Sequence, residues 1–395
     1  MKVKQVYTLL NDITKELTGK TDLVLEDLTN VVDVGKTILD STDVDNYVKS
    51  LVNHIGKVIF VNRIYRGSVP SVLMDSWEYG SVLEKVTCGI PEAKENSTWG
   101  LQDGQSYDTN VFYKPKVSMK LFNSKVTFEI PISFTEVQVK ESFSNADQLN
   151  GFYSMIESAV LNSFTIKMDS LISRTINNMI AETYHADNST STAQSDFTGV
   201  KAVNLLKLYK DSNSEASALT DSEASALTVK QALTDSEFLK FAVSVINNYK
   251  DRIGTLSTLF NVGGVEQFTP QDRLNVVLLS EFKNCVNSYL TSGVYNKEYV
   301  ALPNNEVVAY WQGSGENFAF EDTSKINVKT SAGNTVEISG IVGVMFDRDA
   351  LGVTNLNQRV TTNYNAKAEF FNNYYKFDAG YFNDLNENLV FFFVA

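Results

Sequence analysis

Cysteine and histidine are scarce in this chain, which has two of each among its 395 residues. Cys88 and Cys285 lie far apart in the sequence, so we expect no disulfide framework, as is usual for a protein made in a reducing compartment. A structural zinc site needs clustered cysteine and histidine ligands, which these scattered residues do not supply. Neither His54 nor His185 has a neighbouring partner that would suggest a nucleophile dyad. We therefore predict no metal site and no histidine-based catalysis.

Basic residues are also in deficit: 34 Lys and Arg stand against 47 Asp and Glu, giving a formal net charge of −13. A general nucleic-acid-binding protein would show a basic excess, so that class is disfavoured, although a surface could still face nucleic acid. No run of eighteen apolar residues occurs, so no membrane span is predicted. The first residues, MKVKQVYTLLNDITKEL, are amphipathic and lack the unbroken apolar core of a signal peptide.

The common ligand-binding motifs are missing as well. Neither GxGxxG nor GxxxxGK[ST] occurs, so Gly263-Gly264 is not predicted to bind phosphate. The segment DRDALG, which begins at Asp347, resembles a calcium loop, but Gln358 stands where the EF-hand pattern needs Glu. Two carboxylates could form a glycosidase site, yet with 47 acidic residues some pair always lies near another. We predict no catalytic residue and no cofactor, and keep a soluble carboxylate-based hydrolase as an alternative.

What the chain does have is one unusually long helical pattern, from Ser144 to about Tyr184. Apolar residues recur at helical spacing from Leu149 to Met179, polar residues fall between them, and no proline interrupts the run. Ser144 with Asp147 three residues later is a start signal of the capping-box kind. About forty residues at about 1.5 Å each predict a rod of roughly 60 Å, several times the common helix length.

One compact core cannot cover such a rod along its whole length. The apolar positions hold no strict seven-residue repeat with flanking charges, so a coiled coil is the weaker interpretation. Bulky aromatics such as Phe152 and Phe164 lie in the apolar stripe, which is typical of burial against a sheet. The pattern favours the spine of a flat subunit that packs against copies of itself.

Strand patterns precede this helix. Residues 59–64 are rich in Val and Ile and predict a strand, and 91–110 predict an exposed loop because they are glycine-rich, polar and without periodicity. Residues 111–136 alternate apolar and polar residues over two runs with Asn123-Ser124 near the bend, which predicts a long hairpin. An isolated two-stranded ribbon is marginal in water, so this hairpin is predicted to lie across a partner.

The two ends of the chain differ in character. Residues 1 to about 50 have little apolar content and predict a helical arm that lies on its own subunit or on a neighbour. SEASALT occurs at 214–220 and again at 222–228, which indicates a duplication in a tolerant surface loop. The later predicted elements are strands at 274–279, 307–311, 338–346 and 389–394, a hairpin turn at 332–334 and helices that begin at Ser236 and Ser280. The apolar last strand is predicted to be buried.

Charged residues on the predicted hairpin form a basic cluster. Lys114, Lys116, Lys120 and Lys125 lie within twelve residues of one another. A solvated face is the simplest interpretation of such a cluster. If the cluster has a function, it meets an acidic neighbouring subunit more plausibly than DNA.

This order of parts resembles the major capsid protein of tailed bacteriophages, the HK97-like fold family. SFTEVQVKESFSNADQLNGFYSMIESAV resembles the strand that leads into the family's spine helix, and ISGIVGVMFDRDALGV resembles the segment that returns from its A-domain. The resemblance implies an α+β fold. It divides the chain into an N-terminal arm at 1–58, the start of the P-domain at 59–84, an E-loop at 85–135, the spine helix and linker of the P-domain at 136–197, an A-domain at 198–345 and a return to the P-domain at 346–395.

The resemblance also implies a function. The chain would self-assemble, as hexamers and pentamers, into an icosahedral head that encloses double-stranded DNA, with scaffolding, portal and decoration proteins as further partners. It would be found in the virion, and in the host cytoplasm during assembly. The predicted intersubunit contacts are Lys114, Lys116, Lys120, Lys125, Glu129, Asn261 and Gln267. The alternatives are an encapsulin-like nanocompartment shell, the hydrolase named above, and a tail or adhesion protein.

Overall fold

Helices and strands are mixed along the whole chain, as the predicted α+β class requires. The computed structural model describes residues 3–19, 24–25, 29–41, 44–61, 68–74, 83–91, 93, 95, 100–107, 110–142, 144, 146–216, 227–290, 302–312 and 319–395. The helices are α1 (Val3–Thr18), α2 (Val31–Ser41), α3 (Val44–Val61), α4 (Glu136–Ser142), α5 (Ala146–Asp187), α6 (Leu205–Ala216), α7 (Val229–Ala232), α8 (Ser236–Ile253), α9 (Ser280–Cys285) and α10 (Phe320–Thr323). The strands are β1 (Leu73–Met74), β2 (Leu83–Cys88), β3 (Val117–Phe122), β4 (Lys125–Thr135), β5 (Ala202–Asn204), β6 (Leu274–Leu279), β7 (Glu306–Val308), β8 (Ile326–Lys329), β9 (Thr335–Ile338), β10 (Ile341–Asp347), β11 (Leu351–Asn365), β12 (Phe370–Asn383) and β13 (Leu389–Phe393).

The chain divides into two units. The first comprises residues 1–78, 125–175 and 352–380, and the second comprises 79–124, 176–351 and 381–395. A four-stranded sheet has the order β1-β11-β12-β4, and a five-stranded sheet has the order β5-β13-β10-β6-β7. Two further pairs, β2 with β3 and β8 with β9, complete the described sheets.

The long helix is confirmed: α5 has 42 residues and begins two residues after the predicted start. In the first unit, Phe164 of this helix lies 4.7 Å from Phe377 of β12, measured between ring centroids. Phe152 packs edge to face on Phe134 of β4, with centroids 5.5 Å apart. The apolar stripe is therefore buried against a sheet, as predicted, because aromatic side chains from both elements fill the space between them.

The N-terminal helices have a core of their own, which the sequence analysis underestimated. Leu10 and Ile13 of α1 and Val48 and Leu51 of α3 are fully buried. The predicted strand at 59–64 is wrong for residues 59–61, which belong to α3, and 62–67 lie outside the described residues. Val and Ile have high strand propensity, but the amphipathic helical period that precedes them carries the helix through this run.

The predicted hairpin at 111–136 is wrong in its pairing. β3 pairs with β2, so that Lys120 lies opposite Lys85. β4 pairs instead with β12, where Phe128 lies opposite Phe377. Alternation in each run had indicated which residues share a face, but Asn123-Ser124 passes the chain from one sheet to another rather than making a tight turn.

In the second unit, β10 is the central strand predicted from its continuous apolar run. It is buried throughout and pairs antiparallel with β13 on one side and β6 on the other. The strand begins at Ile341 rather than 338 because Gly340 has φ +74° and lies against the Val394 carbonyl, where a Cβ has no room. The predictions for β6, for buried β13 and for the β8–β9 hairpin are confirmed, whereas β7 ends at Val308 and is shorter than predicted. The repeat at 214–228 lies largely outside the described residues.

A buried pair of phenols joins α3 to α5 and gives the first prediction. The hydroxyls of Tyr47 and Tyr153 are 2.7 Å apart, and burial raises the pKa of both, which keeps them protonated. Replacing either tyrosine with Phe should lower the free energy of unfolding by about 1–2 kcal/mol, because a buried hydroxyl loses a hydrogen bond. Replacing both should cost clearly less than the sum of the single changes.

Urea unfolding of the unassembled subunit measures these energies in a double-mutant cycle. Strictly additive effects would contradict the contact, and with it the packing of α3 on α5. Tyr289→Phe serves as the control, since that side chain is 50% exposed.

Candidate functional site

The ribbon formed by β2 and β3 has an exposed apolar face. Val86 lies opposite Met119, Cys88 lies opposite Val117 and Glu84 lies opposite Leu121, so these side chains share one face. Val86, Val117, Met119 and Leu121 are each 57–60% exposed. We call these four residues the apolar face of the ribbon.

Large apolar side chains continue beyond the strands, in the described part of the loop that joins them. Phe112 is 84% exposed and Tyr113 is 75% exposed, and Leu101 and Tyr107 are exposed as well. A contiguous apolar surface of this kind marks an interaction site in a soluble protein. The sequence analysis predicted an exposed loop here but did not identify its aromatic residues as a contact surface.

The opposite face of the ribbon carries charged side chains, which contact the rest of the second unit. Lys85 and Lys120 lie directly across from each other. The Lys85 ammonium donates to Asp384 Oδ2 at 2.8 Å, to Glu387 Oε1 at 2.7 Å and to the Asp349 carbonyl at 3.2 Å. Lys120 Nζ donates to Asp384 Oδ1 at 2.6 Å. We call Lys85, Lys120, Asp384 and Glu387 the root cluster.

The polarity of the ribbon is therefore inverted. Lys85 and Lys120 of the ribbon contact the rest of the second unit, where the Asp384 side chain is only 1% exposed. The apolar residues of the ribbon are exposed on its other face. Burial by itself would raise the pKa of Asp384, but hydrogen bonds from Lys120 and Lys85 outweigh that effect and hold the pKa below its usual value. Burial likewise lowers the pKa of Lys85, and its hydrogen bonds to Asp384 and Glu387 raise it overall. Asp384 and Lys85 are therefore both ionised near neutral pH.

The structure separates the lysines that the sequence analysis grouped together. Lys114 and Lys116 are exposed in the segment just before β3, whereas Lys120 belongs to the root cluster. Lys125 is exposed at the start of β4, and Glu129 of the same strand lies 3.0 Å from Lys376 of β12. Of the predicted contact residues between 114 and 129, Lys114, Lys116, Lys125 and Glu129 are exposed.

A second exposed surface lies in the loop at 254–269. Asn261 is buried there, and its side chain donates to the Val265 carbonyl and accepts from the Val265 amide. Gln267 exchanges two backbone hydrogen bonds with Ser257. These contacts shape the loop so that other residues, Leu256, Leu259 and Phe268, are exposed. The sequence analysis named Asn261 and Gln267 as contact residues, whereas in the structure these two residues form hydrogen bonds within the loop.

Among the described residues, no cluster of three His, Cys, Asp or Glu side chains could hold a metal ion. A cavity of about 440 Å³ in the second unit is lined by Glu281, Cys285 and Tyr289, among other residues. Burial raises the pKa of Glu281 and of the Cys285 thiol, so the thiol is not activated as a nucleophile. No described helix is long and apolar enough to span a bilayer.

One family model matches nearly the whole chain. A family model described as Phi29-like phage major capsid protein matches residues 10–393. No curated protein sequence matches the chain. Among solved structures, the capsid of Staphylococcus phage Andhra is similar at 9% identity and a TM-score of 0.48, over 84% of this chain and 86% of that one. The mature capsid of bacteriophage PhiM1 is similar at 9% identity and a TM-score of 0.44, over 85% and 87% of the two chains.

The direction of the Asp384 pKa shift predicts a pH dependence. A carboxyl whose pKa is lowered by folding stabilises the folded state above its unfolded pKa, about 3.9, and that stabilisation is lost as the pH falls through the folded value. Asp384→Asn should therefore destabilise the subunit at pH 7, and the difference from wild type should shrink steadily below about pH 4.

Thermal unfolding of both proteins across this range measures the difference. Asp272→Asn is the matched control, because Asp272 is exposed in the same unit. A destabilisation by Asp384→Asn that stays constant with pH would contradict an ionised Asp384.

Proposed function

We propose, on the premise that this chain belongs to the Phi29-like phage major capsid protein family, that it forms an icosahedral head enclosing double-stranded DNA. Family membership over residues 10–393 confirms the predicted major capsid protein of a tailed phage, with an HK97-like α+β fold. It favours this role over the encapsulin-like shell, the hydrolase and the tail or adhesion protein. The role of such a protein is structural, and its place is the virion.

The inverted polarity of the ribbon is the observation that carries the proposal. A ribbon in contact with water alone would place its lysines outward and its apolar residues inward. Here the apolar face and the aromatic loop beyond it are exposed, so another surface must cover them in the working state. In a shell of one repeated protein, that surface belongs to a second copy, since heterologous contacts repeated around closed symmetry generate the wall.

Charge supports the same arrangement. Lys114 and Lys116 are exposed in the segment just before β3, while the chain as a whole carries −13. An acidic surface on the neighbouring copy would complement these lysines at the rim of the contact. Lys125, Glu129 and Gln267 remain predicted contact residues in the proposed shell, whereas Lys120 and Asn261 form contacts within their own subunit.

The acidic balance also suits a container. A wall with excess negative charge does not release counterions from packaged DNA, so DNA would be held by confinement and not by binding. In this proposal the copies form hexamers and pentamers, assembled in the host cytoplasm with scaffolding and portal proteins and, after assembly, decorated by a further protein. These partners follow from the family role.

Particle size tests the proposal directly. The full chain, expressed with and without the products of its neighbouring genes, should give megadalton shells of uniform diameter by negative-stain electron microscopy and analytical ultracentrifugation. A stable monomer or small oligomer under both conditions would overturn the proposal.

The apolar face gives a sharper prediction. Met119→Glu should abolish shells, because a charge would be buried in the contact without a partner, yet leave the subunit folded, since the side chain is exposed. Ser118→Glu is the matched control: it adds the same charge one residue away on the other face of the ribbon and should still assemble.

Circular dichroism of the unassembled proteins and the yield of particles by gradient sedimentation measure the two effects. Wild-type yield from Met119→Glu would contradict a contact at the apolar face.

A further inference from the structure

We infer that the root cluster fixes the direction in which the ribbon extends from the rest of the second unit, and that the uniform size of the shell depends on it. The inference rests on the proposed function for its second part only. Its first part concerns the isolated subunit. It assigns Lys85, Lys120, Asp384 and Glu387 a positioning role that is distinct from contact with a neighbouring copy.

The location of the root cluster is the first argument. Nearer the base of the ribbon, Phe122 packs on Phe382 with ring centroids 5.1 Å apart, and the Tyr381 amide donates to the Ser124 carbonyl. Beyond the cluster, every described residue from 88 to 119 is exposed. Among the residues of β2 and β3, the cluster is therefore the outermost place that is tied to the rest of the second unit, and its geometry sets the angle at which the two strands continue.

The geometry of Lys85 is the second argument. An ammonium group has three hydrogens, and Lys85 directs them at three acceptors: Asp384, Glu387 and the Asp349 carbonyl. The Asp349 carbonyl lies in one turn, and the Asp384 and Glu387 carboxylates lie in another. Together these three acceptors fix the position of the Lys85 Nζ atom. An apolar contact of equal area would hold the ribbon as strongly but would allow it to slide, because dispersion has no preferred direction.

The opposed lysines are the third argument. Like charges directly across a two-stranded ribbon repel each other, so the Lys85–Lys120 pair is unfavourable by itself. Asp384 lies between them, with one carboxylate oxygen accepting from each lysine. The Asn386 amide also donates to Asp384, and the Asp384 amide donates to the Ala350 carbonyl at 2.7 Å. A buried carboxylate held in this way clamps both strands to a fixed point.

A distance measurement on the unassembled subunit tests the first part. Cys88 is a natural exposed label site on the ribbon, and Thr335→Cys supplies a second exposed site in the same unit, in a Cys285→Ser background. Double electron–electron resonance should give one narrow distance distribution for this protein. Adding Lys85→Met should widen the distribution about twofold or split it, because the ribbon gains alternative orientations of similar energy.

Lys240→Met is the matched control. Lys240 forms an exposed ion pair with Glu237 at 2.7 Å on α8 of the same unit, so its removal also deletes one positive charge and one ion pair. Its distance distribution should equal that of wild type. If Lys85→Met fails to fold, Lys120→Met decides, since Asp384 keeps Lys85 as its partner there and the distribution should still widen.

An unchanged distribution in a folded Lys85→Met subunit, or in Lys120→Met if Lys85→Met does not fold, overturns the inference. Cryo-electron microscopy of the assembled particles tests the second part: the same variant should produce shells of mixed diameter where wild type produces one. Shells of wild-type uniformity would overturn that part and leave the proposed function intact. Failure of wild type itself to form shells would overturn the proposed function and leave the distance result standing.

Discussion

Two buried carboxylates make the outward apolar face of the ribbon possible. The ribbon can turn its lysines toward the protein only because Asp384 and Glu387 accept their charge there. Removing charged groups from water is costly unless each is paired and hydrogen-bonded, and Lys85 meets both conditions. Because Lys85 and Lys120 form their ion pairs on the inner face, and successive side chains of a strand point to opposite faces, the remaining side chains point outward. The exposure of the apolar face is thus a consequence of the ion pairs in the root cluster.

The rest of the described structure is conventional by comparison, which is why the ribbon stands out. In the first unit, α5 buries its aromatic stripe on β4 and β12. In the second unit, β10 and β13 are buried at the centre of a five-stranded sheet. These cores obey the ordinary rule that apolar surface is removed from water within the chain. The apolar face and the loop at 254–269 are exceptions, because their apolar residues are exposed in the single subunit. Contact with a neighbouring copy in a shell would explain this exposure.

Sequence analysis succeeded where a residue's neighbours are near in the chain. The period of 3.6 identified α5, and unbroken apolar runs identified β6, β10 and β13. It failed on the partner of β3, because alternation defines the faces of a strand but not the strand opposite. It also could not find the root cluster. Lys120 and Asp384 are 264 residues apart, and Lys85 and Glu387 are 302 apart, so only the fold brings them together. The basic cluster that the sequence displayed is divided between exposed and internal roles.

Copies of an acidic chain can associate only where their charge is absent or compensated. Each copy carries −13, but charges farther apart than about 8–10 Å are screened at physiological salt, so the local composition of the contact decides. The face of the ribbon that carries the four apolar residues has one charged residue in its strands, Glu84 at one end, and the loop at 254–269 contains only Glu266. Apolar contact stabilises by about 25 cal/mol per Å² of buried area and is not weakened by salt. In the proposed shell, cohesion would therefore come from these apolar surfaces, and Lys114 and Lys116 would govern which orientation of the neighbour is accepted.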